Sequence, residues 1–461
     1  LKKRGLRGIG RPMKARSVIK MKKFIRYSGV LLFLAAFVAG GWFFYPLVEG
    51  EVPQIVLSPD FLILGQDRIF SVSCTDRKSG LKRIAVTLSQ GDRRHVLKRE
   101  DFPRKGVTVQ TLSLEIRAGD LGLKNGEALL KIEAEDHSLR KNRGVLTRNL
   151  RIDIVPPQIQ VISDQHYLNP GGTGLVVYRV SKEKVKTSVQ VNDLDYPACE
   201  NTLSGLAGYL CYFAVPIDVK KKDLTVVIKA EDEAGNTARY VVDHHIRNKA
   251  FRKDDMVITT RFLEKKMPEF RESDENLREM DLLGVFCHVN SVMREENFRT
   301  VRTLCTSSEC RQLWEGAFLR MSNASNMARF GDHRTYYYDG KPIGESIHNG
   351  IDLASTAHAP VEAANHGKVI FSGSIGIYGN SIIIDHGQGI FSFYCHLGMM
   401  DVQVGQSVRK GDLIGRTDTT GLAGGDHLHF GVFVGRDFVN PQEWWDPHWI
   451  QDNVARKLEK P

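Results

Sequence analysis

Three short segments carry side chains able to hold an ion and move a proton. The first is His348-Asn349-Gly350-Ile351-Asp352. In an extended chain, residues four apart point to the same side, so His348 and Asp352 can converge. The second is His427-Leu428-His429. Strand alternation sets both imidazoles on one face and sends Leu428 the other way, into a core. The third is Tyr394-Cys395-His396-Leu397, which adds an imidazole on the preceding strand. Metal-assisted hydrolysis asks for this inventory. A catalytic zinc keeps three protein ligands, imidazole or carboxylate, and leaves a fourth position for water. That water ionises near neutral pH, while the metal polarises a carbonyl. Two further histidines nearby can take up the proton or steady developing charge. Two histidines and one carboxylate also suit non-haem iron, and the residue types alone leave that open.

The motifs His-x-x-x-Asp, Tyr-x-His-Leu and His-Leu-His follow one another in this order. The sequence around them reads GIDLAS, APVEAANHGKVIFSG, YGNSIIIDHG, YCHLG, VGQSVRKGDLIG, TTGLAGGDHLHFGV and VNPQEWWD. Together they resemble the lysostaphin/LytM (M23) zinc metallopeptidases. The resemblance implies a compact antiparallel β-sheet domain with the metal in a groove. It implies zinc held by His348, Asp352 and His429, with His396 and His427 as catalytic histidines. It also implies hydrolysis of peptide cross-links in peptidoglycan, with stem peptides as the partner molecule. The wider framework speaks against iron. Asp418 and Asp426 stand where glycine and proline are common in the family, and neither is a functional position there. Some relatives of this fold bind and activate a wall amidase without catalysis, but they lack one or more zinc ligands. This sequence keeps all three. A surface scaffold is a third reading, with nothing in the sequence marking its binding site.

Other histidines read as structural. His358, His366 and His386 stand outside the motifs. His244-His245 closes a strand, where neighbours face opposite ways. Gly373, Gly376 and Gly379 imitate a phosphate loop with the wrong spacing and read as turn glycines before Asn380.

The elements that must position this chemistry are mainly β. Residues 328–445 form the peptidase domain, with IIID, GKVIFSG and HLHFGVFV as short strands between turns. Upstream, residues 249–327 read as a helical linker: Phe286, Val289 and Met293 share one helical face, and Phe298, Val301 and Leu304 continue it after a break. Residues 51–248 read as strands. Leu224, Val226, Ile228 and Ala230 alternate with their neighbours, as do Leu130, Ile132 and Ala134. Pro53-Gln54-Ile55 and Pro157-Gln158-Ile159 open two segments about one domain apart, which suggests a duplication. The expectation is two β-sandwich modules, 51–154 and 155–248, the second ending in AEDEAGNTA like bacterial immunoglobulin-like domains. They would hold the peptidase away from a surface and offer a face to envelope proteins. Residues 446–461 are a C-terminal tail. Asn323 or Asn326, just before the first motif, is expected to cap the metal in a latent state.

The 461 residues suffice for about three domains. The net charge of +10 is not a nucleic-acid signal, because eleven basic residues and no acidic one precede residue 29, and the rest sums to −1. This arm, 1–28, leads into the uncharged run Gly29 to Val48, read as a transmembrane helix. Basic residues lie only before it, which orients the arm to the cytoplasm. The expected location is therefore the inner membrane, single-pass, with catalysis in the periplasm. A cleaved leader is the rival reading, but the run is long for one and no A-x-A site follows. Met21 opens MKKFIRYSG, which reads as a start. Of seven cysteines, Cys199 and Cys211 can staple one hairpin; Cys287, Cys305 and Cys310 form a second group; Cys74 and Cys395 look unpaired.

Overall fold

The computed structural model describes residues 15–48, 50–200, 208–220 and 223–459. The chain divides into two compact units. One is Leu1–Val155 with Ala234–Asn236; the other is Pro156–Glu233 with Thr237–Pro461.

The first unit begins with the helix Ala15–Val48. The expected membrane span is corrected here: among the described residues, no helix is long and apolar enough to cross a membrane. The side chains described in this helix are those of residues 26–42, and residues 1–14 of the basic arm lie outside the described residues. The inner-membrane placement falls with the span.

The rest of that unit is two sheets over one core. Gln54–Ser58, Asp67–Thr75 and Val109–Arg117 make a three-stranded sheet. A five-stranded sheet runs in the order Ile63–Leu64, Arg143–Ile152, Gly126–Asp136, Leu81–Gln90, Arg93–Asp101. Leu130, Ile132 and Ala134 point inward with Val72, Leu88 and Leu114, while Leu129, just before them, faces solvent. That is the period-two pattern of the sequence made physical.

The second unit has a single continuous core. It joins the strands after residue 156 to the helices and to the large sheet that follow, with Val176, Tyr212, Phe286, Phe393 and Trp444 all in it. The strands up to 248 form two four-stranded sheets, one around Thr173–Val180 and one around Val226–Glu231, and a parallel pair, Tyr167–Leu168 with His245–Ile246. Residues 249–327 hold helices Thr260–Ser273, Leu282–His288 and Arg294–Leu304. Thr259 caps the first by accepting from Phe262 N, and Leu263, Met267 and Phe270 are its buried stripe. Phe286, Val289 and Val301 are buried, as their spacing anticipates. The same region contains a strand the sequence reading lacks: Lys253–Val257 pairs in parallel with His333–Tyr338, which pairs in turn with Lys341–Ile347.

The large sheet has ten strands. Its main path runs Ser325–Ala328, Ile351–Ala354, Leu428–Val434, Ile390–Met400, Gly379–Asp385, Gly367–Ile375, Ser407–Val408, and its pairings are antiparallel. The C-terminal residues pack rather than trail. Lys457 Nζ donates to Leu175 O at 3.2 Å. The cysteines do not pair within their sequence groups: Cys199 bonds to Cys310, and Cys211, Cys287 and Cys305 stay free, as do Cys74 and Cys395. Strand pairing sets this choice, because Cys211 lies in the middle of Tyr209–Ala214 with its side chain fully buried.

The helix Pro441–Trp445 ties the large sheet to the strands before residue 248. Trp444 is fully buried and donates from Nε1 to Thr173 Oγ1 at 3.1 Å. Glu443 beside it accepts from Asn169 Nδ2 and Thr173 N, each at 2.7 Å. Burial pushes the Glu443 carboxyl up to about 7 against those two donors and the nearby Lys249 and Arg247. Its folded value lies above its unfolded one. The protonated form therefore adds stability that is complete below the ordinary carboxylate range and is lost as pH rises through 7. A shift of this size corresponds to about 3 kcal/mol. Urea melts at pH 5 to 8 are expected to show stability falling with pH in the native chain relative to Glu443→Gln. Parallel curves for the two proteins would contradict this.

Candidate metal centre

The sheet register builds the centre. Ile351–Ala354 pairs with Leu428–Val434 so that Asp352 lies opposite His429. His429 lies opposite Cys395 on the next strand, Ile390–Met400. Asp352 and His429, on adjacent strands, thus face one point, and His348 joins them from a turn. His348 Nε2, Asp352 Oδ1 and His429 Nδ1 stand 2.8–3.0 Å apart in every pairing. A metal bonded to each at ordinary N and O distances would set them about 3.3 Å apart, a few tenths of an ångström wider. The set of two imidazoles and one carboxylate fits zinc, and these three residues form a group that could hold an ion. His348 and Asp352 do not converge through one extended strand. His348 sits in the turn after Lys341–Ile347, and the turn brings it back over Asp352.

Each imidazole is fixed by what its other nitrogen meets. His348 Nδ1 lies 2.9 Å from Arg329 O, which can only accept. Nδ1 therefore carries the proton, and Nε2 presents its lone pair to the cluster. His396 Nδ1 donates to Thr420 O at 2.8 Å, and His427 Nδ1 to Gly425 O at 2.8 Å. His429 Nε2 is buried with no partner, pressed against Gly350, where an added Cβ would come within 2.5 Å of it. Only glycine lets this ring reach the cluster.

His396 and His427 flank the three. Their ring centroids are 4.8 Å apart, and His396 lies 6.0 Å from His429. His427 Nε2 is 3.6 Å from Asp352 Oδ1. Simple alternation does not place His396. Its φ is +60°, and the strand shifts register there, with Cys395 and His396 opposing the single residue Ser381 on Gly379–Asp385. Such a bulge re-aims a side chain. The loop that receives it is held close: Thr420 Oγ1 donates to Leu397 O at 2.9 Å, and a Cβ on Gly379 would strike the Thr420 backbone at 2.5 Å.

Electrostatics separates the groups. Burial would raise the Asp352 carboxyl, but the three imidazoles of His348, His427 and His429 outweigh burial and hold it well below the usual range. Burial drives His429 down to about 4, and drives His396 well below the ordinary imidazole value with help from His427 and His429. His427 goes the other way. Burial works against its proton, but the Asp352 hydrogen bond and charge prevail and raise it.

A chain of charges supports the cluster, and sequence reasoning missed it. Arg334 Nη2 takes the second carboxylate oxygen, Asp352 Oδ2, at 3.2 Å. Arg334 Nε faces Asp254 Oδ2 at 3.9 Å, and Asp254 pairs with Arg252 at 3.2 Å. Arg252 also clamps Asp332, which is fully buried, at 2.6 and 3.2 Å. Asp332 in turn accepts from Arg329 N at 2.9 Å and, through its carbonyl, from His348 N at 3.0 Å. No motif spacing marks these residues. The only signal was an arginine in a strand of tyrosines.

Other sequence candidates lie elsewhere. His386 is buried between His366 O and Ser392 Oγ, 2.7 Å from each. His358 stands with Asp418 and Asp426 in a partly exposed group. Neither Asn323 nor Asn326 reaches the metal group. Asn326 Oδ1 accepts from Arg320 at 2.9 Å, and neither residue lines the cavity, so the expected cap is not built. That cavity, of about 390 Å³, opens onto the cluster between Phe262, Phe286 and Tyr336 on one side and Tyr378 and Leu422 on the other.

The cluster is expected to take up one zinc per chain. Arg252→Met is expected to weaken that uptake about 10–100-fold, the usual cost of losing an outer partner. Arg252→Lys should recover part of it. Chelator competition on the full chain measures both, and unchanged affinity in the Met variant would show the charge chain to be inert.

Residues 346–441 match the model of peptidase family M23. Over 95 residues the chain is 38% identical to DD-carboxypeptidase/endopeptidase Mpg of Neisseria meningitidis, covering 21% of this chain and 22% of the relative. It is 39% identical over 87 residues to peptidoglycan DD-endopeptidase ShyB of Vibrio cholerae, covering 19% and 20%. The chain thus spans about a fifth of the length of the curated relatives it matches. The solved catalytic domain of the antimicrobial peptidase lysostaphin from Staphylococcus simulans aligns with 28% of this chain and 98% of its own, at 26% identity and a TM-score of 0.24. The metal cluster and its two flanking histidines all fall inside the matched segment, and the chain therefore carries, over residues 346–441, a peptidase domain of family M23.

Proposed function

We propose that this protein is a zinc-dependent endopeptidase that hydrolyses peptide cross-links of peptidoglycan. One observation carries the reading. Two imidazoles and a carboxylate converge within 3.0 Å, and two more imidazoles flank them at the floor of an open groove. His348, Asp352 and His429 are the zinc ligands. A zinc held there lowers the pKa of a water and polarises a carbonyl.

The protein's own groups do the rest. His396 is neutral and keeps its Nε2 lone pair, since Nδ1 is committed to Thr420 O. It is the group suited to accept a proton. His427 holds its proton more firmly and is the group suited to steady negative charge or return a proton to a leaving amine. Arg334 keeps Asp352 turned so that Oδ1 faces the imidazoles. The aromatic walls of the groove exclude water from around an extended peptide. Two relatives carry DD-endopeptidase or DD-carboxypeptidase/endopeptidase names, which supports a bond next to a D-residue as the one cleaved.

Digestion of purified sacculi by residues 50–461, with products identified by mass spectrometry, tests the reading. Cleaved cross-links are expected from the native protein and none from His429→Ala or chelated protein. Equal activity in those controls would sink the zinc mechanism. His396→Ala and His427→Ala are each expected to lower kcat about 10²–10⁴-fold while zinc content stays at one per chain. A loss of zinc in either variant would move that histidine into the ligand set.

A further inference from the structure

Arg294 stands in the groove wall with a charge that no acid answers. It opens the helix Arg294–Leu304 and lines the cavity together with the metal cluster. Its Nε donates to Asn290 O at 3.1 Å and its Nη2 to Asn290 Oδ1 at 2.9 Å. Asn290 is itself buried and tied through Nδ2 to Glu345 O at 3.4 Å. Both acceptors are neutral. Among the described residues, no carboxylate lies within ion-pair distance of Arg294, although exposed arginines elsewhere, such as Arg299 and Arg456, have one. Of its five N–H donors, two are used. The guanidinium is thus aimed, half-buried and uncompensated.

The rest of the cavity sharpens this. Its charged lining is Arg294, Arg334 and Asp352. Asp352 is committed to the histidines on one oxygen and to Arg334 on the other. The remaining lining is imidazole, aromatic and aliphatic groups with Met256 and the hydroxyl of Thr259. A cavity so lined favours an anion, and a planar carboxylate matches the fork of a guanidinium. Taking an arginine out of water without a partner costs stability, so a built, unpaired one marks where a ligand supplies the partner.

We infer that Arg294 is a specificity residue that pairs with a free carboxylate on the peptide substrate, close to the bond being cut. The substrate class is therefore a cross-linked peptide that keeps an ionised carboxylate next to the scissile amide, rather than its amidated or neutral counterpart. This rests on the peptidase reading above.

Two synthetic cross-linked peptides, identical except that this carboxylate is free or amidated, test it on the zinc-loaded full chain. The native protein is expected to prefer the free acid at least tenfold in kcat/KM, mostly through KM. Arg294→Gln should erase the preference and leave kcat/KM for the amidated peptide within twofold. Arg294→Lys should restore part of it, because the charge returns without the fork. Equal use of both peptides by the native protein would overturn the inference. So would a loss in Arg294→Gln that is the same for both, since that is a structural defect. The same pair with the scissile amide reduced gives a reading without turnover, by calorimetry. If nothing is cleaved yet the free acid binds tenfold better, and only with Arg294 present, the peptidase reading fails and the carboxylate site stands. If affinity ignores the carboxylate, the site falls.

Discussion

Bringing two imidazole lone pairs and a carboxylate oxygen within 3 Å is unfavourable on its own, and the surrounding fold has to impose it. The register of two neighbouring strands sets Asp352 against His429, and the turn after Lys341–Ile347 brings in His348. The remainder is local. A glycine at 350 admits the His429 ring, a carbonyl at 329 orients His348, and Arg334 occupies the oxygen of Asp352 that the histidines do not. Each support acts on a different ligand, so none can substitute for another. A change at any one would leave the other ligands in place but misaligned, and metal affinity depends on all of them together.

These supports also show how far the working unit extends. His348 is held by a turn that Asp332 closes, and Asp332 is held by Arg252, far upstream of the first motif. The strand Lys253–Val257 brings Arg252 and Asp254 alongside His333–Tyr338, which carries Arg334. The segment between the β-strands and the large sheet is therefore more than a spacer. Its helices share the core of the sheet, and Phe262 and Phe286 form one wall of the groove. The disulfide between Cys199 and Cys310 and the buried Glu443 and Trp444 fasten the same body. Within this unit, rigidity is spread over residues that never touch a substrate.

What the sequence discloses and what it hides divide along physical lines. The five residues of the centre were legible as short motifs, but alternation accounts only for His427 and His429; a turn brings His348 to Asp352, and a bulge places His396. The strands at Leu130 and Val226 were legible from alternation too. Long-range pairings were not. Nothing local distinguishes Arg252 or Arg334 from any surface arginine, because their meaning comes from parallel pairing between segments about eighty residues apart. Cys199 was read with its sequence neighbour Cys211, yet strand register buries Cys211 and leaves Cys199 for Cys310. The left-handed backbone at His396 was hidden too, since a strand motif predicts extended geometry there. The span read into Gly29–Val48 came from composition over a window, and no described helix meets the length and apolarity it requires.

The strain at His396 bears on how two chemically identical side chains come to differ. A non-glycine residue in the left-handed region costs roughly 1–2 kcal/mol, and outliers of this kind gather at functional sites. Here the bulge swings His396 to Thr420 O, where burial outweighs the opposing pull of Asp352 and governs it. His427, kept at the rim beside the Asp352 carboxylate, is governed by that charge instead. Burial and the neighbouring imidazoles thus set the proton affinity of His396, and the Asp352 carboxylate sets that of His427. A pair of titratable groups pushed apart in this way is what acid–base chemistry at a single pH requires. The bend in the strand, rather than any difference in residue type, separates the proton affinities on which the proposed roles of His396 and His427 rest.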